Sequence, residues 1–256
     1  MTSHLYQAKM YEIIGSKIER IDELGSSNNY AASQLLTKRL PEGIVFVAGS
    51  QFDGRGQVSN KWESEPNKNL TFSIILYPDF IEISRQFEIS KSISLGVVDF
   101  LNELTDRVSI KWPNDIYIGN KKVAGILIEN SIRIDKISSC IVGIGLNINQ
   151  QKFISDAPNP VSLSQITGEM YGLEEMLSDL CVKIDARYHQ LRQGKIQQID
   201  DDYSEMLYQR GIWSSYSDEN GDFEGQILGV DQIGRLMIET RAGNINKYHF
   251  KEVVFK

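Results

Sequence analysis

Alternating hydrophobic and polar residues predict that the chain begins with a strand, a helix and a second strand. Residues 18–21 alternate apolar and charged side chains, which is typical of a half-buried strand. Residues 30–36 have the spacing of a short amphipathic helix. The Ser-Ser-Asn segment 26–28 suits an N-cap, because hydroxyl and amide oxygens accept the free N–H groups at a helix start. The β-branched run 44–47 then predicts a buried strand.

A long polar stretch over residues 49–69 shows no hydrophobic period. A loop of that length in a compact domain is commonly functional. Beyond it, residues 70–77 predict a strand, and apolar residues at helical spacing predict a helix over about 84–104. Three strands are then expected over 108–112, 115–118 and 123–134, with Gly119-Asn120 as the tight turn of a hairpin.

Three more elements are expected before residue 214. Residues 141–148 predict a strand with two internal glycines. Since glycine weakens a strand, we expect a ligand or another backbone segment to approach closely there. Residues 173–191 predict a long helix and residues 203–208 a short one.

The character of the sequence changes from residue 214 onward. Short β-type segments over 223–228, 235–239 and 248–255 alternate with turn signals. Such a module is too small to be a robust domain alone. We therefore predict an α+β fold, with a mixed-sheet main domain over residues 1–212 and a small all-β domain over 213–256.

Composition places the chain among ordinary globular proteins. Of its 256 residues, 41% are hydrophobic and 24% are charged, so a sizeable core is expected. The formal net charge of -7 argues against a chain that binds nucleic acid over its whole surface. Cys140 and Cys181 lack metal-ligand spacing and indicate reduced thiols of a cytoplasmic protein. No signal pattern or run of about 18 apolar residues occurs, so neither export nor a membrane span is expected.

Gly54, Arg55 and Gly56 form the first candidate for chemistry, within the long polar stretch. The glycines let the backbone fold closely over a ligand, and the guanidinium offers a fork of donors to a phosphate or carboxylate. The spacing matches neither a phosphate-binding loop nor the dinucleotide fingerprint. By itself the tripeptide is more often a solvated turn, and Trp62 nearby is more often a core or lid residue.

Two further segments place polar residues beside strands. Residues 111–115, Lys-Trp-Pro-Asn-Asp, mark a sharp exit from one strand into the next, because proline cannot lie in a central strand. Lys122 begins a glycine-bearing apolar strand, where it is placed either to meet an anion or to stand in solvent. Gly143 and Gly145 either open a floor for a flat ligand or only allow close strand packing. No catalytic Ser/His/Asp order or metal-ligand cluster is found in the sequence, and no metal ligand is assigned.

Taken together and in this order, these segments resemble the biotin protein ligases. The match covers about residues 18–150, and the C-terminal β module is similar to the family's SH3-like β-barrel. The resemblance implies a mixed-sheet catalytic domain like that of the class II aminoacyl-tRNA synthetases and biotin ligases. The matching residues are Ser26-Ser27-Asn28, Gln51 with Gly54-Arg55-Gly56, Trp62, Asn69-Leu70, residues 111–115, Lys122 with residues 124–127 and Glu129, and Gly143-Ile144-Gly145 with Asn147.

The resemblance implies a ligase that works in two steps. Biotin and ATP with Mg²⁺ would give biotinyl-5′-AMP and pyrophosphate, and a lysine of a biotin carboxyl carrier protein would then take the biotin. A carboxylate that attacks an α-phosphate brings two anions together, so cations must offset the repulsion. The resemblance places Arg55 and Lys122 in that catalytic role.

The remaining site residues are also carried over from the resemblance. Neutral donors and acceptors suit the ureido ring of biotin, while the nucleotide requires cations and amides. The implied biotin-binding residues are Ser26, Ser27, Asn28, Gln51, Gly54, Arg55, Gly56, Gln57, Lys122, Gly125, Gly143 and Gly145. The implied ATP- and adenylate-binding residues are Arg55, Gln57, Trp62, Lys111, Asn114, Asp115, Lys122 and Asn147.

The sequence departs from the family pattern at a few positions. Ser27 replaces a threonine, Ser59 replaces a glycine, and Gln57 stands where many members carry a second arginine, which removes one cation near the adenylate. Family members that act as repressors carry an N-terminal winged helix-turn-helix. About 17 residues precede the first matching strand, so we expect an enzyme-only form with no DNA partner. A homodimer is also possible.

Two alternatives remain. A lipoate ligase or octanoyl transferase would use a similar catalytic fold, but the pairing of the Gly54–Gly56 motif with residues 111–115 argues against it. A catalytically inactive biotin sensor or protein-interaction module would use the terminal β domain. Retention of both Arg55 and Lys122 argues against that interpretation.

Overall fold

The strands predicted in the first 150 residues pair into one seven-stranded sheet of order β1-β2-β3-β7-β6-β5-β4. The structure, a computed structural model, describes residues 12–58, 60–155 and 157–256. Strand β1 runs parallel to β2, and the other pairs are antiparallel, so the sheet is mixed. The strands are β1 (Ile18–Leu24), β2 (Val45–Gln51), β3 (Leu70–Leu76), β4 (Val108–Lys111), β5 (Asp115–Ile118), β6 (Lys121–Arg133) and β7 (Lys136–Leu146).

Helices cover both faces of this sheet. The main core lies on one face, where α2 packs closely on α4 because Gly96 has no side chain: a Cβ there would lie 2.7 Å from the Ile184 Cα. On the other face α1 covers a smaller cluster around Phe46 and Ile75. The helices are α1 (Ser27–Thr37), α2 (Phe87–Leu101), α3 (Leu163–Thr167), α4 (Leu173–Arg192) and α5 (Ile196–Glu205), with a short 3₁₀ helix at Ile83–Arg85.

A second, five-stranded antiparallel sheet follows, of order β11-β10-β9-β8-β12. The prediction of an α+β fold with a C-terminal β module is confirmed, and this sheet is consistent with an SH3-like domain. Its first strand begins at the proposed domain boundary. The strands are β8 (Trp213–Asp218), β9 (Gly221–Val230), β10 (Leu236–Thr240), β11 (Ile245–Tyr248) and β12 (Val254–Phe255).

Several predicted elements differ from the structure. The strand expected over 248–255 is wrong, because a turn separates the end of β11 from β12. Strand β8 was not predicted, since Tyr216 is its one buried side chain. Helix α5 begins seven residues before the predicted 203, because two buried residues spaced four apart, Ile199 and Tyr203, suffice to hold a polar helix on the core.

The N-cap prediction for residues 26–28 is only partly right. Ser26 occupies the N-cap position, but its side chain makes no capping hydrogen bond, and the next two residues lie within α1. The expectation about the segment before β1 falls partly on residues 1–11, and the Ser59 substitution also lies outside the described residues. Among the described residues, no helix has the length and apolar character needed to cross a membrane.

Candidate functional site

A cavity of about 430 Å³ opens where the N-terminus of α1, the loop after β2 and the glycines of β6 and β7 meet the C-terminal sheet. Most of the predicted site residues line it, although they come from segments far apart in the chain. Those that line it are Ser26, Ser27, Asn28, Gln51, Arg55, Gly56, Gln57, Trp62, Lys111, Asn114, Asp115, Lys122, Gly125, Gly143 and Gly145.

Two predicted site residues, Asn147 and Gly54, do not line the cavity. Asn147 is buried, and its Nδ2 donates to the Val161 carbonyl at 3.1 Å, so its side chain holds the chain after β7. Gly54 closes the loop instead: its carbonyl accepts from Trp62 N–H at 2.9 Å, and a Cβ there would lie 2.4 Å from the Trp62 carbonyl oxygen.

One end of the cavity is a buried polar cluster at the start of α1. Ser73 Oγ lies 2.7 Å from Ser27 Oγ and 2.6 Å from Asn28 Oδ1. Because an amide oxygen only accepts and a hydroxyl has one hydrogen, Ser73 donates to Asn28 and accepts from Ser27. The Ser27 N–H donates to Gln51 Oε1 at 2.7 Å, which links α1 to β2. Hydrogen-bonding capacity left at Ser27 Oγ and Asn28 Oδ1 is therefore that of acceptors.

Glycines form the floor of the cavity, and two side chains of the protein lie on them. Gly125 and Gly145 are paired across β6 and β7. A Cβ at Gly145 would lie 2.2 Å from the Trp62 indole, and one at Gly125 would lie 3.1 Å from it. A Cβ at Gly143 would lie 2.3 Å from Asn28 Oδ1. These strands therefore need glycine because the indole and the amide sit directly on the backbone.

The cations Arg55 and Lys122 both reach the cavity paired with a carboxylate. Arg55 Nη2 lies 2.8 Å from Glu129 Oε1, and Lys122 Nζ lies 2.7 Å from Asp115 Oδ1. Lys122 Nζ also lies 5.8 Å from the Trp62 ring centroid. The two ion pairs place two cations at the cavity. Each cation is balanced by a carboxylate, so the net charge of these four side chains is near zero.

Lys111 lies among three aromatic rings. Its Nζ is 5.1 Å from the ring centroid of Tyr117, 5.9 Å from that of Tyr208 and 4.8 Å from that of Phe255. Burial lowers the pKa of Lys111, and the charge of Lys122 adds to this effect against the opposing charge of Asp115. Such rings stabilise a cation that has lost part of its hydration.

Sequence reasoning missed several residues of the site. Glu129 belongs to the matched motif but received no role, and Ser73 had no signal beyond its place in an apolar strand. Phe250, Lys251 and residues 253–255 of the C-terminal sheet also line the cavity. No local pattern could have found them, because their place in the site depends on how the two sheets pack. Among the described residues, no group of three or more His, Cys, Asp or Glu side chains could hold a metal.

Comparisons with known proteins identify the family of the chain. Residues 21–147 match the model of the biotin/lipoate A/B protein ligase family. The bifunctional ligase/repressor BirA of Bacillus subtilis is 33% identical over 248 residues, covering 91% of this chain and 72% of that protein. A biotin–[acetyl-CoA-carboxylase] ligase of Paracoccus denitrificans is 29% identical over 205 residues, covering 77% and 84%.

The same likeness is visible in three dimensions. A biotin protein ligase from Aquifex aeolicus, solved in complex with biotin and ATP, superposes with a TM-score of 0.78 at 26% identity. The superposition covers 94% of this chain and 99% of that one. It therefore extends over both sheets.

Proposed function

This chain belongs to the biotin/lipoate A/B protein ligase family, and from that membership we propose that it is an ATP-dependent biotin protein ligase. It would convert biotin to biotinyl-5′-AMP and transfer the biotin to a lysine of a biotin carboxyl carrier protein. The observation that carries the choice of biotin is the pair of acceptors left at Ser27 Oγ and Asn28 Oδ1. The ureido ring of biotin has two N–H donors to meet them, whereas the dithiolane ring of lipoate has none.

The polar end of the cavity is the proposed biotin subsite. Ser27, Asn28 and Gln51 are held there by hydrogen bonds to one another and to Ser73, so they are oriented before a ligand arrives. A preoriented set of neutral groups binds a neutral ring without the cost of burying a charge. Ser26 and the backbone around Gly143 complete this end of the cavity.

Adenylation would take place between Arg55 and Lys122. A carboxylate oxygen of biotin attacks the α-phosphorus of ATP, the new P–O bond forms, and the bond to the β-phosphate oxygen breaks to release pyrophosphate. Both cations are already paired with carboxylates, so an anionic substrate must share them with Glu129 and Asp115. Fixed cations favour the extra charge of the transition state because they need no reorganisation as it develops.

Transfer would follow at the carbonyl carbon of the adenylate. The ε-amine of the carrier lysine forms a C–N bond, the bond from that carbon to the phosphate oxygen breaks, and AMP leaves while the amine loses a proton. Trp62 and the loop that carries it lie over the glycine floor, where they would keep water from the labile anhydride.

The nucleotide would lie toward Lys111, Asn114 and Asp115, with Gln57 and Trp62 beside it. Mg²⁺ usually binds through one or two protein oxygens together with nucleotide phosphates, so a dedicated cluster is not required. The Asp115 carboxylate, which lines the cavity, fits that role. When bound, the ion would neutralise phosphate charge. The residues of this chain would orient the nucleotide around it.

The carrier domain of a biotin-dependent carboxylase is the proposed macromolecular partner. Ligases named for acetyl-CoA carboxylase among the relatives support that choice. A cytoplasmic location and a homodimer are parts of the same proposal, and the buried free thiols of Cys140 and Cys181 support the first of them.

Pyrophosphate release in the presence of biotin or lipoate tests the proposed function. We expect release to require both ATP and biotin, with lipoate giving no more than the background rate. Incubation with a carrier domain should then label its acceptor lysine, and a carrier with arginine in that position is the control. Preference for lipoate would overturn the proposal, and tight biotin binding without any labelling would indicate an inactive sensor.

A further inference from the structure

Glu129 joins two groups of the cavity that the proposed function uses separately. One carboxylate oxygen, Oε1, accepts from Arg55 Nη2 at 2.8 Å, and the other, Oε2, accepts from Asn28 Nδ2 at 2.7 Å. Arg55 Nη1 also lies 3.4 Å from Oε2 and donates to Asn29 Oδ1 at 2.6 Å. The carboxylate therefore connects the loop that carries Arg55 with the helix that carries Asn28.

The hydrogen bonds of Asn28 leave its amide only one orientation. Nδ2 has two hydrogens, and both are used, by Glu129 Oε2 at 2.7 Å and by the Leu127 carbonyl at 3.3 Å. Oδ1 accepts from Ser73 at 2.6 Å, which leaves one acceptor position for a ligand. If the Asn28 amide were rotated by about 180°, its nitrogen would face the ligand in place of Oδ1. A ligand N–H would then meet another donor instead of an acceptor.

We propose that Glu129 is a positioning residue, which fixes the amide of Asn28 with its oxygen available to a ligand N–H and holds Arg55 beside it. This inference rests on the proposed function, because it identifies the N–H group as that of the biotin ureido ring. A carboxylate suits the task because it only accepts, so it cannot satisfy a reversed amide. Its negative charge would otherwise repel an anionic substrate, and the Arg55 guanidinium offsets that charge.

Stability of the fold does not require this ion pair. The Arg55 side chain is 39% exposed and that of Glu129 is 36% exposed. Exposed pairs of this kind contribute little to folding, since water screens them and both side chains lose freedom. The benefit of the contact is therefore expected in ligand binding, where the direction of one amide decides whether a hydrogen bond forms.

Substitution Glu129→Gln tests the inference. Glutamine keeps the shape but has one acceptor oxygen, so it presents an N–H₂ group to either Arg55 or Asn28, both of which are donors. We expect the KM for biotin to rise roughly tenfold, as for the loss of one hydrogen bond to a charged group, with a smaller rise in the KM for ATP through Arg55 and an unchanged Tm. The matched control is Asp53→Asn, which neutralises an exposed carboxylate of the same loop that pairs with Lys61 at 3.4 Å. It should leave all three values unchanged.

A double-mutant cycle separates positioning from a general disturbance. If Glu129 acts through Asn28, then Asn28→Ala already removes the oriented amide, and adding Glu129→Gln should raise the KM for biotin little further. Adding Asp53→Asn to Asn28→Ala should change nothing either. Fully additive effects of Asn28→Ala and Glu129→Gln would overturn the inference.

Other results would also overturn it. An unchanged KM for biotin would show that Glu129 does not position the site, and a lower one would show that its carboxylate hinders biotin binding. A rise in both KM values with a lower Tm would indicate a structural role. If the wild-type protein neither binds biotin in calorimetry nor releases pyrophosphate, the proposed function fails first and the inference with it. Normal activity in the wild type and in Glu129→Gln would refute the inference alone.

Discussion

At the scale of single residues, the site combines two ion pairs with side-chain oxygens of Ser27 and Asn28 that can only accept a further hydrogen bond. Lys122 and Asp115 are each about one quarter exposed and lie 2.7 Å apart, so each depends on the other for charge compensation in a partly dry cavity. The arrangement has a consequence for mutation. Removal of one partner does not simply delete a contact, because it leaves the opposite charge without compensation where the substrate must bind.

Lys122→Ala is expected to lower the rate of adenylation roughly a hundredfold while the fold remains intact. The variant loses a cation at the reacting phosphate and leaves the Asp115 carboxylate facing an anionic substrate. The measurement is the rate of biotin-dependent pyrophosphate release, with circular dichroism and Tm to monitor the fold. Lys121→Ala is the control, because that neighbouring side chain is exposed and outside the cavity. Equal adenylation rates in wild type and Lys122→Ala would contradict the role assigned to Lys122.

At the scale of elements, the loop after β2 is fastened at both ends. Near its start, an isolated bridge pairs Arg55 with Lys61, and Gly54 and Trp62 are hydrogen-bonded. Beyond Trp62, the Glu63 carboxylate accepts from the Ile154 N–H at 3.0 Å and from the Ser155 N–H at 2.8 Å. The polar groups of this loop therefore form hydrogen bonds within the loop and to the loop at residues 154–155. They are not only exposed to solvent.

Acidification is expected to weaken the hydrogen bonds between the Glu63 carboxylate and the amides of residues 154 and 155. Burial raises the pKa of Glu63, but hydrogen bonds from Ser155, Ile154 and Gln150 outweigh it and hold the pKa below the ordinary value of 4.5. A carboxyl group with a lowered pKa in the folded state stabilises the fold above its unfolded pKa, and that contribution is lost as pH falls through the folded pKa. Hydrogen-exchange protection of the amides of residues 154 and 155 should therefore decrease as pH falls below about 4.5.

Glu63→Gln provides the comparison for that pH series. Glutamine cannot titrate, so protection at residues 154 and 155 should be lower at neutral pH and should change less between neutral and acidic solution. A wild-type profile that stays flat through this range would show that the Glu63 carboxylate does not hold the loop.

At the scale of the whole molecule, residues of the C-terminal region complete the wall of the candidate cavity. Trp112 Nε1 donates to the Gly234 carbonyl at 2.9 Å, which ties the turn at residues 111–115 to the second sheet. Phe255 of the same sheet lies over Lys111. The position of the residues proposed to bind the nucleotide therefore depends on contact between the two sheets.

Trp112→Phe should weaken that contact, because phenylalanine keeps an aromatic ring but lacks the indole Nε1–H. We expect the free energy of unfolding to fall by about 1 kcal/mol, the usual net contribution of one hydrogen bond. The KM for ATP should rise severalfold with little change in the KM for biotin, because the turn carries Asn114 and Asp115. Denaturant unfolding and pyrophosphate-release kinetics measure the two effects. Trp213→Phe is the matched control, since that indole lies at the surface of the second sheet, and an equal change in both variants would contradict the assignment.

The sequence by itself determined most of the elements and predicted most of the residues that line the cavity. Hydrophobic periods located the strands of the first sheet and helices α2 and α4, because burial of one face requires that spacing. Motif order predicted Arg55 and Lys122 as the cations of the site and the strand glycines as its floor. Periodicity was insufficient for β8, α5 and the end of β11, where one or two buried residues per element leave too weak a pattern.

Only the tertiary structure decided how these groups are paired. Glu129 lies beside Arg55 and Ser73 lies beside the start of α1, because segments distant in the chain meet at the sheet. Asp115 lies beside Lys122 within the β5–β6 hairpin. Asn147 belongs to the motif yet turns to the Val161 carbonyl rather than to the cavity. A residue type limits which contacts a side chain can make, whereas the packing of the sheet and of the C-terminal strands selects the contact that it does make.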